Sequence, residues 1–447
     1  MKTGFSKICI NPPYGTPICG YYEERFTKGI LDDIFARAVA FDDGETQAVI
    51  IALDLICFEQ KYYDEFKKAI NEATGINKDA IYINCSHTHT APLVGNDFAS
   101  EKKSTPEYDA FLISSVRDAV IYALADLKES EIGTAQTEAK NISFIRRFRM
   151  KDGTVATNPG VNNKDIDHPL GTPNETVKLV KITRQDADDI FIVNFGTHPD
   201  SVGGEYISAD YMGFVCSIIE NAVPGTKCMF LLGPQGDVNH VNVNPTKGES
   251  AISKIDFDGV PRSIKHAEHM GRIIAGAVLS VCSITDEVKA DKIKFASKMV
   301  NLPSHQENDR LDEAQKIYDL YHAGRASELP YKEMELTTVV AEAERIIRLQ
   351  NGPESFPFFL SAIKIGDLVF AGIGGEAFTE IGNRICASSP FETTVLTCIT
   401  NSEGGYIPTT SAYDEGGYEA KSSQLKPGGD DIIVEGMIEL FAELRSM

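Results

Sequence analysis

Positive charge is scarce in this sequence: 43 Lys and Arg stand against 65 Asp and Glu, a formal net charge of −22. Like charge repels nucleic acid and anionic membrane surfaces, so neither is expected as a routine partner. No apolar run reaches the roughly 20 residues of a membrane span, which excludes a transmembrane helix. No internal repeat or low-complexity tract occurs. The nine cysteines are scattered, odd in number and without a CxxC pair. Several lie inside apolar runs, which suits buried reduced thiols better than a disulfide framework.

At 447 residues with 42% hydrophobic content, the chain has enough material for a large core,. The informative stretch is Ile81-Tyr82-Ile83-Asn84-Cys85-Ser86-His87-Thr88-His89-Thr90-Ala91-Pro92. A β-branched run ends in two histidines one residue apart, and Pro92 forbids regular continuation. In an extended segment residues i and i+2 share a face, so His87 and His89 point the same way from a strand end. Such a pair either supplies imidazoles to a metal or hydrogen-bonds within a turn.

Two further runs repeat the design. Phe191-Ile192-Val193-Asn194-Phe195 empties into Gly196-Thr197-His198-Pro199, and Leu368-Val369-Phe370-Ala371-Gly372-Ile373 empties into Gly374-Gly375-Glu376. Three apolar strands, each delivering a metal-capable side chain to a turn, form the pattern of a site beyond the strand ends of an α/β sheet. Helical spacing over Tyr62 to Thr74, closed by Gly75, and over Tyr108 to Leu127 interleaves helices with these strands. The expected class is therefore α/β, a mixed β-sheet core flanked by helices with the metal site at the strand ends. Val177 to Ile182 and Ile190 to Phe195 read as a hairpin delivering His198. Asp54, at the end of an apolar strand, either orients a metal-bound His from behind or caps the following helix. Asp210 reads as lying at or near a helix N-cap. His266 and His269, among charged neighbours on one helix face, read as non-functional. The charged stretch from about 303 to 352 reads as two helices broken near Gly324 and Pro330, an insertion in a single domain spanning 1–447.

The blocks Ser86-His87-Thr88-His89-Thr90, Gly196-Thr197-His198, Gly236-Asp237-Val238, Gly375-Glu376 and Gly405-Tyr406-Ile407-Pro408-Thr409-Thr410 together resemble those of the neutral, non-lysosomal ceramidase family. The likeness runs from about Gly4 to about Ser423. It implies a zinc ion held by His87, His198, Glu376 and Tyr406. A mixed nitrogen and oxygen set also suits zinc over calcium or magnesium, which take mostly oxygen. His89 would then serve as proton donor or oxyanion partner, and Asp237 belongs to a block near the reaction. The basic run Phe144-Ile145-Arg146-Arg147-Phe148-Arg149 lines up with the family's "NINR", with the site-facing arginine best matched by Arg147. Tyr413 and Tyr418 follow at the offsets of the family's tyrosines; Tyr418 and Arg147 are candidates for holding substrate.

One departure bears on chemistry. The family places a serine after "GDV", and this chain has Asn239, followed by His240. Asn is no nucleophile, so attack by metal-activated water replaces a covalent serine route. The resulting expectation is a zinc-dependent hydrolase of an amide, N-acyl bond, acting on a small-molecule or lipid-like substrate. An ester or lactone hydrolase and a non-catalytic binding homologue are the alternatives. The first residues lead straight into the matched region and leave no room for a signal h-region, so a cytoplasmic location is expected. A counterpart of the family's C-terminal immunoglobulin-like domain is not expected.

Overall fold

The apolar runs fold into two sheets in a computed structural model, which describes residues 1–96, 102–307 and 309–447. Strands β1 (Lys2–Cys9), β2 (Phe35–Asp42), β3 (Gln47–Leu53), β4 (Ile81–Cys85), β5 (Lys128–Glu138), β6 (Thr176–Arg184), β7 (Asp189–Phe195), β8 (Thr226–Leu232) and β9 (Asp286–Val288) make a nine-stranded sheet. Its order is β8-β7-β6-β5-β1-β2-β3-β4, with β9 paired to β5. The β3/β4 and β7/β8 pairs are parallel and the others antiparallel. The sheet is thus mixed, as expected, and β6/β7 is the expected hairpin.

Helices flank it. In α1 (Gln60–Thr74) the buried face is Tyr62, Tyr63, Phe66 and Ile70, at the three-to-four spacing of a one-sided helix,. Gly75 ends it with φ 78°, a left-handed backbone that glycine adopts without strain,. The side chain of Thr105 caps α2 (Pro106–Ala125), which packs on β1 and β2,. α3 (Asp210–Ala222) lies against β8 and against α4 (Ile264–Val281). Asp210 is the first helical residue, next to the cap position Ala209, in keeping with a place at or near the N-cap. Its carboxylate accepts from the backbone N–H groups of Ser201 and Val202, both at 3.0 Å. It therefore fastens the loop just beyond His198 to the start of α3.

The feature that builds the site is the curl of this sheet. β4 and β8 stand at opposite ends of the strand order, yet the Asn84 side chain accepts from Leu232 N–H at 2.9 Å and donates to Cys398 O at 2.7 Å. Cys398 N–H in turn donates to Leu232 O at 3.1 Å, and Cys85 N–H donates to Ile399 O at 3.1 Å. One buried amide and one crossing segment therefore stitch the two edges together and satisfy groups that an open edge would leave exposed.

The second sheet comprises β10 (Ile293–Pro303), β11 (Ser355–Ile365), β12 (Leu368–Ile373) and β13 (Thr393–Thr397). Between β10 and β11 rise α5 (Leu311–His322) and α6 (Glu333–Leu349), the two helices expected in the charged insertion. They pack through a small cluster of Ala314, Ile317, Val340, Ala343 and Ile346. α7 (Thr379–Ser388) follows Glu376, and α8 (Gly429–Ser446) covers β10 and β11. Among the described residues no disulfide joins any of the cysteines, and Cys19, Cys85, Cys216, Cys228 and Cys398 are buried. Among the described residues, no helix is long and apolar enough to cross a membrane.

Candidate metal centre

β4 is buried along its whole length, and Ile81 and Ile83 contribute about 2 kcal/mol each by leaving water,. This anchoring holds the turn that follows. Ser86 N–H donates to Leu53 O and His87 N–H to Leu55 O, each at 2.8 Å. His87 takes φ 63°, a left-handed conformation rare for a side-chain-bearing residue and found where a fold over-determines a functional position,. His198 leaves the end of β7, and Glu376 leaves β12 through Gly374-Gly375. The two-residue strands Glu376–Ala377 and Tyr406–Ile407 pair in parallel, with Glu376 opposite Tyr406. Gly236 lets this corner close: a Cβ there would stand 2.4 Å from Glu376 O,.

The curl brings these ends to one point. The ligand nitrogens of His87, His89 and His198 lie within 4.8 Å of one another, and this three-histidine group could hold a metal ion. His87 Nε2 stands 3.3 Å from Glu376 Oε2, and His198 Nδ1 is 3.7 Å from the same oxygen. His89 Nε2 faces His198 Nε2 at 2.9 Å. The Tyr406 ring stacks 6.5 Å from that of His198, and the Tyr418 ring meets Tyr406 edge-on at 5.6 Å.

The surrounding hydrogen bonds fix which nitrogens are bare. His87 Nδ1 lies 3.0 Å from Ile56 O, which can only accept, so Nδ1 carries the proton and Nε2 a lone pair,. His198 Nδ1 donates to Gln235 Oε1, while Gln235 Nε2 donates to Glu376 Oε2 at 3.2 Å. His198 Nε2 is therefore also bare. His87 Nε2 is buried and finds no hydrogen-bond partner among the described residues. A buried lone pair facing a carboxylate is costly unless a cation joins them, so the donor set fits a metal ion.

Electrostatics agree with that fit. Burial drives His198 well below the ordinary imidazole pKa, with Arg146 and the neighbouring histidines adding to it, and burial pushes His89 down to about 3. Burial alone would raise Glu376, but His87, Arg146 and Gln235 outweigh it and hold the carboxyl below its usual range. Burial, then the Glu376 charge, raises Tyr406 well above the usual phenol value. The site as folded thus holds His89 and His198 as neutral imidazoles, one carboxylate and a neutral phenol.

The remaining candidates fall at stated places. Arg147 turns away, with NH2 3.0 Å from Glu415 Oε2 and 2.8 Å from Gly416 O. Its neighbour Arg146 stands over the Tyr406 ring at 5.3 Å, pairs with Glu419 at 2.6 Å and donates to Gly236 O at 2.7 Å. The Asp237 carboxylate accepts from Thr379 N–H at 2.7 Å and Thr379 Oγ1 at 2.8 Å, at the start of α7. Asn239 is buried, donates to Asn158 Oδ1 at 2.9 Å and accepts from Val241 N–H at 3.0 Å. Asp54 takes neither expected role: it pairs with buried Arg37 at 2.7 Å and accepts from Phe35 N–H at 2.9 Å. His266 is not on a solvated face but buried, 5.1 Å from the His240 ring, and burial pushes it down to about 3. Gln235, Arg146 and Asp200 are the residues that sequence reasoning passed over. The signal for Gln235 and Asp200 was adjacency, since both lie within two residues of blocks already singled out.

No family model matches the chain. Among solved structures, its fold is similar to neutral ceramidase from Pseudomonas aeruginosa, with a TM-score of 0.74 and 15% identity, over 100% of this chain and 74% of that one. It is likewise similar to a ceramidase complexed with C2, with a TM-score of 0.73 and 14% identity, over 100% of this chain and 75% of that one. The chain therefore has a ceramidase-like α/β fold over its full length, as its motif blocks lead one to expect.

Proposed function

We propose that this protein is a zinc-dependent hydrolase that cleaves an amide, N-acyl bond with water. The observation that carries the reading is His87 Nε2 facing the Glu376 carboxylate at 3.3 Å, with His198 Nε2 left bare because Gln235 takes its Nδ1 proton, and both imidazoles fixed by acceptors on Nδ1,. These three residues would hold the ion, and Tyr406, next to Glu376 in register, would complete the set. A zinc there lowers the pKa of a water toward neutrality and polarises a carbonyl.

The protein's own groups supply the rest. His89, beside His198 but held by different elements, takes the proton as water oxygen bonds to the carbonyl carbon. It returns that proton to the amine nitrogen as the carbon–nitrogen bond breaks. Arg146 and Tyr418, each against the Tyr406 ring, would hold the substrate oxygen,. Asn239 offers no nucleophile, and its amide is already committed to Asn158 and Val241,.

Metal analysis of protein purified without added zinc should give close to one zinc per chain. His87→Ala and His198→Ala should each abolish it, and unchanged zinc in both variants would reject the ligand set. A panel of N-acyl amides, esters and lactones with and without chelator then tests the reaction. Chelator-sensitive turnover of amides above esters and lactones is the expected result.

A further inference from the structure

His89 is the one imidazole of the cluster whose proton position the ligand set does not fix. His198 Nε2 is bare because Gln235 takes its Nδ1 proton. At 2.9 Å two bare Nε2 atoms would repel, so without a cation His89 Nε2 carries the proton and donates to His198,. A cation on the His198 lone pair removes that acceptor. The carboxylate facing the other side of His89 is Asp200, whose Oδ1 lies 3.8 Å from Nδ1. Nδ1 itself is buried and without a hydrogen-bond partner among the described residues.

Asp200 is built to stay charged and still. Arg262 donates from Nε to its Oδ1 at 2.9 Å and from NH2 to its Oδ2 at 2.6 Å, and Tyr21 OH donates to Oδ1. Arg262 is anchored from behind by Asp258, at 2.6 and 2.7 Å. The His89 backbone is held by the same region. Arg25 donates to His89 O at 2.8 Å, and at Gly20, with φ 119°, a Cβ would stand 3.0 Å from His89 Cα. Arg25 and Arg262 lie over the Tyr21 ring at 4.0 and 4.9 Å.

We infer that Asp200, fixed by Arg262 and Tyr21, is the positioning residue of His89: with the ion bound it selects the Nδ1–H tautomer and leaves Nε2 as a proton acceptor beside the metal. This rests on the metal reading above and adds a direction to it. His89 enters the reaction as a base and becomes the acid only after it has taken the proton from water.

The test is long-range proton–nitrogen correlation on protein labelled with 15N-histidine, metal-free and zinc-loaded, with His89→Ala to assign the signals. The metal-free protein should carry the His89 proton on Nε2, and zinc should move it to Nδ1. Asp200→Ala should keep the zinc-loaded protein off the Nδ1–H form. Its zinc affinity should change by less than about threefold, against the roughly 10- to 100-fold loss expected when a ligand's own support is removed. Tyr21→Phe, which keeps the carboxylate, should behave as the parent. A zinc-loaded parent with its proton still on Nε2, His89 shifts typical of direct coordination, or an Asp200→Ala protein that retains Nδ1–H would each overturn the inference. The parent spectra decide even if the Asp200 variant does not fold. A protein that takes up no zinc overturns the metal reading, and this inference with it.

Discussion

At the scale of single residues, Gln235 does most to shape the metal centre. Its amide oxygen holds His198 and its amide nitrogen holds Glu376, so one side chain aims two proposed ligands of different chemistry. Gln235→Leu keeps much of the volume and removes both bonds. It should lower zinc affinity by about 10- to 100-fold while the fold survives, measured by competition with a chromophoric chelator. Asn239 makes the contrasting case. Its side chain bonds Asn158 and Val241 in a buried setting, so Asn239→Ser should lower stability by about 1–3 kcal/mol in urea unfolding through the partners left unpaired,. The histidines and Glu376 were legible in the sequence because each ends an apolar strand at a Gly- or Pro-marked turn. Arg146 was not, since two adjacent arginines leave the facing side undecided until the backbone between Phe144–Ile145 and Arg147–Met150 is known,.

At the scale of elements, the strands β4, β7 and β12 and the first helices follow from apolar periodicity, while α5 and α6 follow from a charged stretch broken near Gly324 and Pro330,. What periodicity does not carry is the closure of β4 on β8. That depends on one buried amide, Asn84, and on a segment more than 300 residues later in the chain,. The insertion is likewise placed by side chains invisible to pattern. Buried Arg345 on α6 donates to Lys421 O at 2.8 Å, His305 O at 2.9 Å and Glu307 Oε2 at 2.9 Å. It thereby ties α6 to the short helix Tyr418–Ser422, which begins at the candidate substrate-holding tyrosine. Arg345→Ala removes three charge-assisted bonds from a buried position. It should cost about 3 kcal/mol, read in urea unfolding, with amide exchange rising first in Tyr418–Ser422.

At the scale of the whole molecule, the buried titratable groups set a pH dependence that can be signed. His89 and His266 are held at about 3 and His240 at about 4, and His198 lies well below its ordinary value, in each case first by burial. Each stays neutral in the folded protein while it takes up a proton in the unfolded chain below about pH 6.5. Their contribution is therefore complete above that pH and is lost as pH falls toward the folded values. Asp32 and Asp210 oppose this: burial raises both to about 6, so the folded state holds their protons between about pH 4 and 6 and gains as pH falls,. Burial raises Asp237 in the same direction. With His305, also lowered by burial, and Glu403, also raised by burial, five imidazoles stand against four carboxyls, so the unfolded chain binds more protons near pH 5.5 and stability falls as pH drops,. The unfolding midpoint of metal-free protein should accordingly fall as pH drops from 7 to 5, at constant ionic strength. Zinc at 100 times its Kd should add about 2.7 kcal/mol near pH 7, and because His198 stays neutral in the folded protein the same zinc concentration should add nearly as much at pH 5,. Scanning calorimetry across that range, with and without the ion, checks both: a zinc increment that collapses between pH 7 and 5 would mean that the folded imidazoles are not held neutral by burial.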